Sequence, residues 1–166
     1  AVGGFKPDQF RELPPDVIGG FRPDQFRELP PEAIGGFRPD QFRELPPDVI
    51  GSFRPNQFRE LPPEAVGGFR PDQFKALPND LIGEISADQM ENLRPDLFVG
   101  IQPAKFESLP RIAFSGFQPN QLKNVPDDLL ANMDRRDFGA INPEAFGGFT
   151  PDKFEALPIN LVDNIT

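Results

Sequence analysis

The chain has 166 residues, 26 acids against 17 bases, a net charge of −9, and neither cysteine nor histidine. Those absences remove thiol nucleophiles, imidazole bases and the usual zinc ligands together, and an acidic balance without a basic run excludes the ordinary modes of binding nucleic acid or anionic membranes. Twenty-two prolines and 15 glycines approach the composition of a disordered linker, yet 18 phenylalanines held in register do not belong to one.

Taken in order, the chain is one phrase repeated. Copies start at Gly3, Gly19, Gly35, Gly51, Gly67, Gly83, Val99, Ser115, Ala131 and Gly147, so ten copies of sixteen residues fill positions 3–162. A fixed period of this size marks a solenoid. The chain is therefore read as a single repeat array over 1–166, with the more polar stretch 158–166 as a candidate C-terminal cap. The start at Ala1-Val2 has the look of a cut end, which suggests a piece of a longer array. The first five copies are near-identical and the last five have drifted, as in recent duplication or in an engineered or consensus array.

Each copy has an inner symmetry. In the second, Phe21-Arg22-Pro23-Asp24-Gln25-Phe26 is followed eight residues later by Leu29-Pro30-Pro31-Glu32-Ala33-Ile34. The structural step is an octad, used once in an aromatic and once in an aliphatic form. Pro23 suits the first position of a helix, where its missing N–H would have had no partner. Asp24 sits in the first turn, favoured by the helix dipole. Pro30-Pro31 ends that run, because the residue before a proline avoids helical angles. The second helix starts at Pro31 and stops at Gly35-Gly36, glycine being the usual residue just past a helix end. Helices this short are not stable alone in water, so packing of copies must hold them.

The imperfect copies solve the same end-of-helix problem with other residues. Ser86 with Gln89 has the form of a capping box. Asn142 and Thr150 precede prolines as N-cap residues, and Asp134 takes the cap where the proline is lost. The expected fold is all-α: an elongated solenoid of very short proline-initiated helices, two per sixteen-residue repeat, around a Phe/Leu/Ile core. Its inner columns are Phe5 to Phe149, Phe10 to Phe154, Leu13 to Leu157 and Ile18 to Val162. If each sixteen-residue layer adds about 8–10 Å, ten layers span on the order of 80–100 Å.

No catalytic, cofactor or metal residue is assigned. Ser52, Ser86, Ser108, Ser115, Thr150 and Thr166 sit at turn or cap positions without an evident base, and the recurring acids match neither an EF-hand loop nor a glycine-aspartate calcium array. The arginines Arg22, Arg38, Arg54 and Arg70 form one column of the repeat and are the candidate partner-binding face. A mixed-sign ladder of this kind is most often a solvated face. No apolar stretch approaches a membrane span, and no signal peptide is recognisable.

Runs such as GFRPDQFRELPPEAIGGF and GFTPDKFEALPINLV resemble the octad arrays of large bacterial surface or secreted exoproteins, and more loosely the short-helix repeats of the mesothelin and stereocilin group. The resemblance implies an extracellular or cell-surface role as spacer and interaction surface, and carries over no site residue. The expectation is thus a non-enzymatic structural repeat, a rigid spacer or scaffold presenting an adhesive surface to a protein partner or to adjacent repeats of a longer chain. The alternative is a binding module whose concave face reads a peptide or glycan.

Overall fold

A computed structural model describes Gly4 and residues 6–162. The expectations for Ala1-Val2, for Phe5 and for the cap beyond residue 162 lie outside the described residues. So does the side chain of Val162.

Among the described residues twenty short helical elements follow one another, and every one begins eight residues after the last. They run from Pro7–Arg11, Pro15–Gly19 and Pro23–Arg27 to Pro151–Ala156 and Ile159–Val162; Pro95–Phe98 and Pro143–Gly148 are 3₁₀ and the rest are α. Among the described residues there is no strand. Where proline is lost, the expected side chains take over. Ser86 Oγ accepts from Gln89 N at 3.1 Å, and Asp134 Oδ1 accepts from Arg136 N and Asp137 N at 2.7 and 2.8 Å; Asn142, which precedes Pro143, also caps, its Oδ1 accepting from Glu144 N.

The helices that pack on one another are neither neighbours in sequence nor equivalent halves of successive copies. Pro7–Arg11 packs on Pro31–Ile34, Pro15–Gly19 on Pro39–Glu44, and Pro23–Arg27 on Pro47–Ile50. The separation is always three octads, so one coil of the solenoid takes 24 residues. The result is a three-sided shaft with one helix of each coil on each side. Twenty helices make between six and seven coils. At about 8–10 Å per coil the shaft is on the order of 55–70 Å long, shorter than a sixteen-residue layer would give.

A sixteen-residue repeat wound into a 24-residue coil has a packing consequence. Three is odd, so the aromatic and aliphatic octads alternate along every side. Pro31–Ile34, an aliphatic helix, lies between the aromatic helices Pro7–Arg11 and Pro55–Arg59. Bulky side chains are therefore set against smaller ones, the arrangement that fills a core without voids. Phenylalanines still meet between coils: Phe10 with Phe37 at 4.6 Å, Phe26 with Phe53 at 4.6 Å and Phe42 with Phe69 at 4.7 Å between ring centroids. Each pair joins a helix ring to a ring in the connection one coil further on. The core is one continuous cluster from Phe10 to Leu161.

Glycine serves a purpose other than a left-handed helix end. Gly35, Gly51, Gly67 and Gly83 all keep right-handed angles, and Gly100 alone among the described residues has positive φ, at 68°. Gly36, Gly68, Gly116 and Gly148 are needed for close approach. A Cβ on Gly116 would lie 2.0 Å from the Ala87 carbonyl oxygen of the preceding coil.

Candidate functional site

The residue that ties coil to coil is one that the sequence left as filler, the glutamine at the third position of the aromatic helices. Gln73 lies at the third position of Pro71–Ala76 and is fully buried. Its Oε1 accepts from Arg70 N at 2.8 Å, closing the first turn of its own helix. Its Nε2 donates to the carbonyls of Phe42, Arg43 and Leu45, at 3.1, 3.1 and 2.7 Å, which end a helix of the coil before. One amide thus satisfies the free donor of one helix and the free acceptors of another, groups that a four- to six-residue helix has in excess.

The arrangement repeats up the shaft. Gln41 donates to Leu13 O, Gln57 to Leu29 O, Gln89 to Leu61 O and Gln121 to Leu93 O. Lys105 and Lys153 replace the amide by an ammonium, donating to Leu77 O and Val125 O, and Lys153 also pairs with Asp127. Burial holds the Lys105 amine below the ordinary lysine range. The signal was available in the sequence, since Gln stands at this place in each of the first six copies. Its meaning depends on the coil length, which the repeat length conceals.

The four candidate arginines do not form one face. Sixteen residues carry the chain through two-thirds of a coil, so Arg22, Arg38 and Arg54 start helices on three different sides, and Arg70 returns to the side of Arg22 two coils on. Each is engaged locally. Arg22 pairs with Asp24, Arg38 with Asp40 and Arg70 with Asp72, while Arg54 donates to the Leu29 carbonyl at 3.2 Å. The Arg70 guanidinium holds the Asp72 carboxyl below its usual range. Arg59 and Glu84 form an ion pair between coils, which lowers the Glu84 carboxyl in the same way.

The hydroxyls are used by the backbone. Ser52, Ser108 and Ser115 donate to the carbonyls of Val49, Ala104 and Ile112 at 2.6–2.7 Å, and Ser86 and Thr150 accept as helix caps. Among the described residues no acid or amine side chain is hydrogen-bonded to any of these hydroxyls. No protein-family model matches the chain, and no curated protein matches it either.

Two hollows interrupt the shaft towards its later copies. One of about 420 Å³ is lined by Phe138, Ile141, Phe146 and Leu161, with Arg135 at its edge. The other, of about 270 Å³, lies between Pro103–Glu107 and Asp127–Ala131 and carries the carboxylates of Asp128, Asp134 and Asp137. Among the described residues no three acids converge closely enough to hold a metal ion, and no helix is long and apolar enough to cross a membrane.

Proposed function

We propose that the chain is a non-enzymatic structural repeat, a stiff shaft that spaces other parts of an extracellular or cell-surface assembly and offers its sides to a protein partner. The observation that carries this reading is the buried ladder of side-chain donors, since seven of its levels, from Gln41 to Lys153, are tied to the coil before by polar bonds of fixed geometry within one continuous core cluster. Such a column resists bending wherever the tie is made. Apolar contact alone, being non-directional, would allow coils to slide. The surface setting follows from the resemblance to octad arrays of exoproteins.

The reading is tested by changing length. Forty-eight residues, three copies, make two whole coils, so inserting such a block should lengthen the shaft by about 16–20 Å each time. Dyes placed at the two ends, or the maximum dimension from solution scattering, should report a linear increase over several blocks. A radius of gyration that grows only as the compact-domain power of chain length, roughly N^0.38, would overturn the spacer.

A further inference from the structure

The ladder has one level at which no donor stands. In the register set by Gln121 with Leu93 and Lys153 with Val125, residue 137 holds the ladder position that answers to the carbonyl of Leu109, 28 positions earlier. That residue is an aspartate, which when ionised can only accept. Leu109 is buried, and among the described residues no group donates to its carbonyl oxygen. The coils also part here. Pro103–Glu107 and Asp127–Ala131 are the single consecutive pair on any side of the shaft that is not closely packed, and the hollow of about 270 Å³ opens between them. Phe106, Asp134 and Asp137 all line that hollow.

We propose that this level is a proton-operated joint. With Asp137 ionised the two coils meet without their polar tie. With Asp137 protonated, its hydroxyl donates to the Leu109 carbonyl and restores the bond that glutamine makes elsewhere. The only chemical change is uptake of one proton by the carboxylate.

The surroundings favour that uptake. Burial and then the nearby Asp134 carboxylate push Asp137 above the ordinary aspartate range, while Arg111, at the start of the helix beneath, acts the other way. Glu107 and Asp128 add negative charge around the hollow. On the other side, the described part of Ile159–Val162 carries no charged residue. Lys105 is directed to Leu77, and Lys153 to Val125 and Asp127, so neither supplies a counter-charge. Because the folded-state value lies above the unfolded one, coupling across the joint is gained as pH falls through it and lost as pH rises above it. The joint belongs to the shaft itself and does not depend on what the shaft spaces.

Amide hydrogen exchange on the full chain, corrected for intrinsic rates, tests this between pH 7 and about pH 4.5, with the Asp137 variants as controls for the ordinary carboxylates that begin to take up protons there. Acidification should raise protection in 103–114 and 127–138 by about fivefold more than in 41–73, the effect of one regained neutral hydrogen bond. Asp137→Gln places the ladder's own residue at this level, so it should be protected at both pH values and lose the dependence. Asp137→Asn, a shorter neutral donor, should also lose it. Unchanged protection in the wild type across this range would overturn the joint, and so would a pH dependence that survives in Asp137→Gln.

Discussion

Replacing Gln73 with alanine is the sharpest test of how the coils hold together. The amide nitrogen has two hydrogens, so two of its three short approaches to Phe42, Arg43 and Leu45 carbonyls are bonded at a time, and Oε1 adds a third bond to Arg70 N. Each neutral bond contributes about 0.5–1.5 kcal/mol net, and each buried partner left without water costs about 1–3 kcal/mol. Leu45 is fully buried. The substitution should therefore cost about 2–5 kcal/mol. Gln9→Ala is the control: it is the same residue in the same phrase, but Gln9 is exposed, and its one side-chain bond is that from Lys6 N. Its cost should stay within about 0.5–1 kcal/mol. An array of this kind need not unfold in one step, so chemical denaturation should be accompanied by exchange rates at residues 42–45 and 70. Equal losses for the two variants would refute the tie between coils.

The core and the backbone approaches give three further expectations. Phe42→Ala empties a fully buried site in contact with Phe37, Phe53 and Phe69, and should cost about 3–5 kcal/mol by denaturation, whereas Arg38→Ala should cost little. The reverse ranking would mean that the inner and outer columns are exchanged. Gly116→Ala should lower the melting temperature sharply, because the new methyl meets the Ala87 backbone oxygen, whereas Gly51→Ala, with nothing nearer than 3.6 Å, should be neutral or slightly stabilising. Similar melting temperatures for the two would refute the close approach of coils. For Lys105, the unfolded chain keeps its proton over an alkaline range in which the folded chain has released it. Stability should therefore rise with pH below the ordinary lysine value of about 10.4, and Lys105→Gln should abolish that rise in thermal melts compared across pH.

What could be read in advance was local. Proline fixes a helix start by its own ring, and Ser86 or Asp134 does so by a bond spanning two or three residues, so all twenty starts fall where the octad puts them. The buried columns were legible for the same reason, since an apolar position stays apolar in every copy; Phe154, expected inside at the end of its column, is instead exposed. Coil length was not, because it depends on which helices meet across 24 residues, and no residue within an octad declares it. The error propagated. A sixteen-residue layer would have stacked Arg22, Arg38, Arg54 and Arg70 into one column, left Gln73 without a task, and explained Gly36 by its φ when a Cβ there would fall 2.1 Å from the Pro7 oxygen. Asp137 could stand out only once the task of its equivalents was known.

The disagreement between repeat and coil also couples extension to azimuth. Each copy gained or lost by recombination moves the far end of the array along the axis by two-thirds of a coil and swings it by the same fraction of a revolution. Whatever is joined there would change both its reach and the direction in which it points, and only gains in threes would return it to its former bearing. A lineage that trims or extends such an array therefore samples three orientations as it samples lengths, while every internal surface keeps large rings against small side chains.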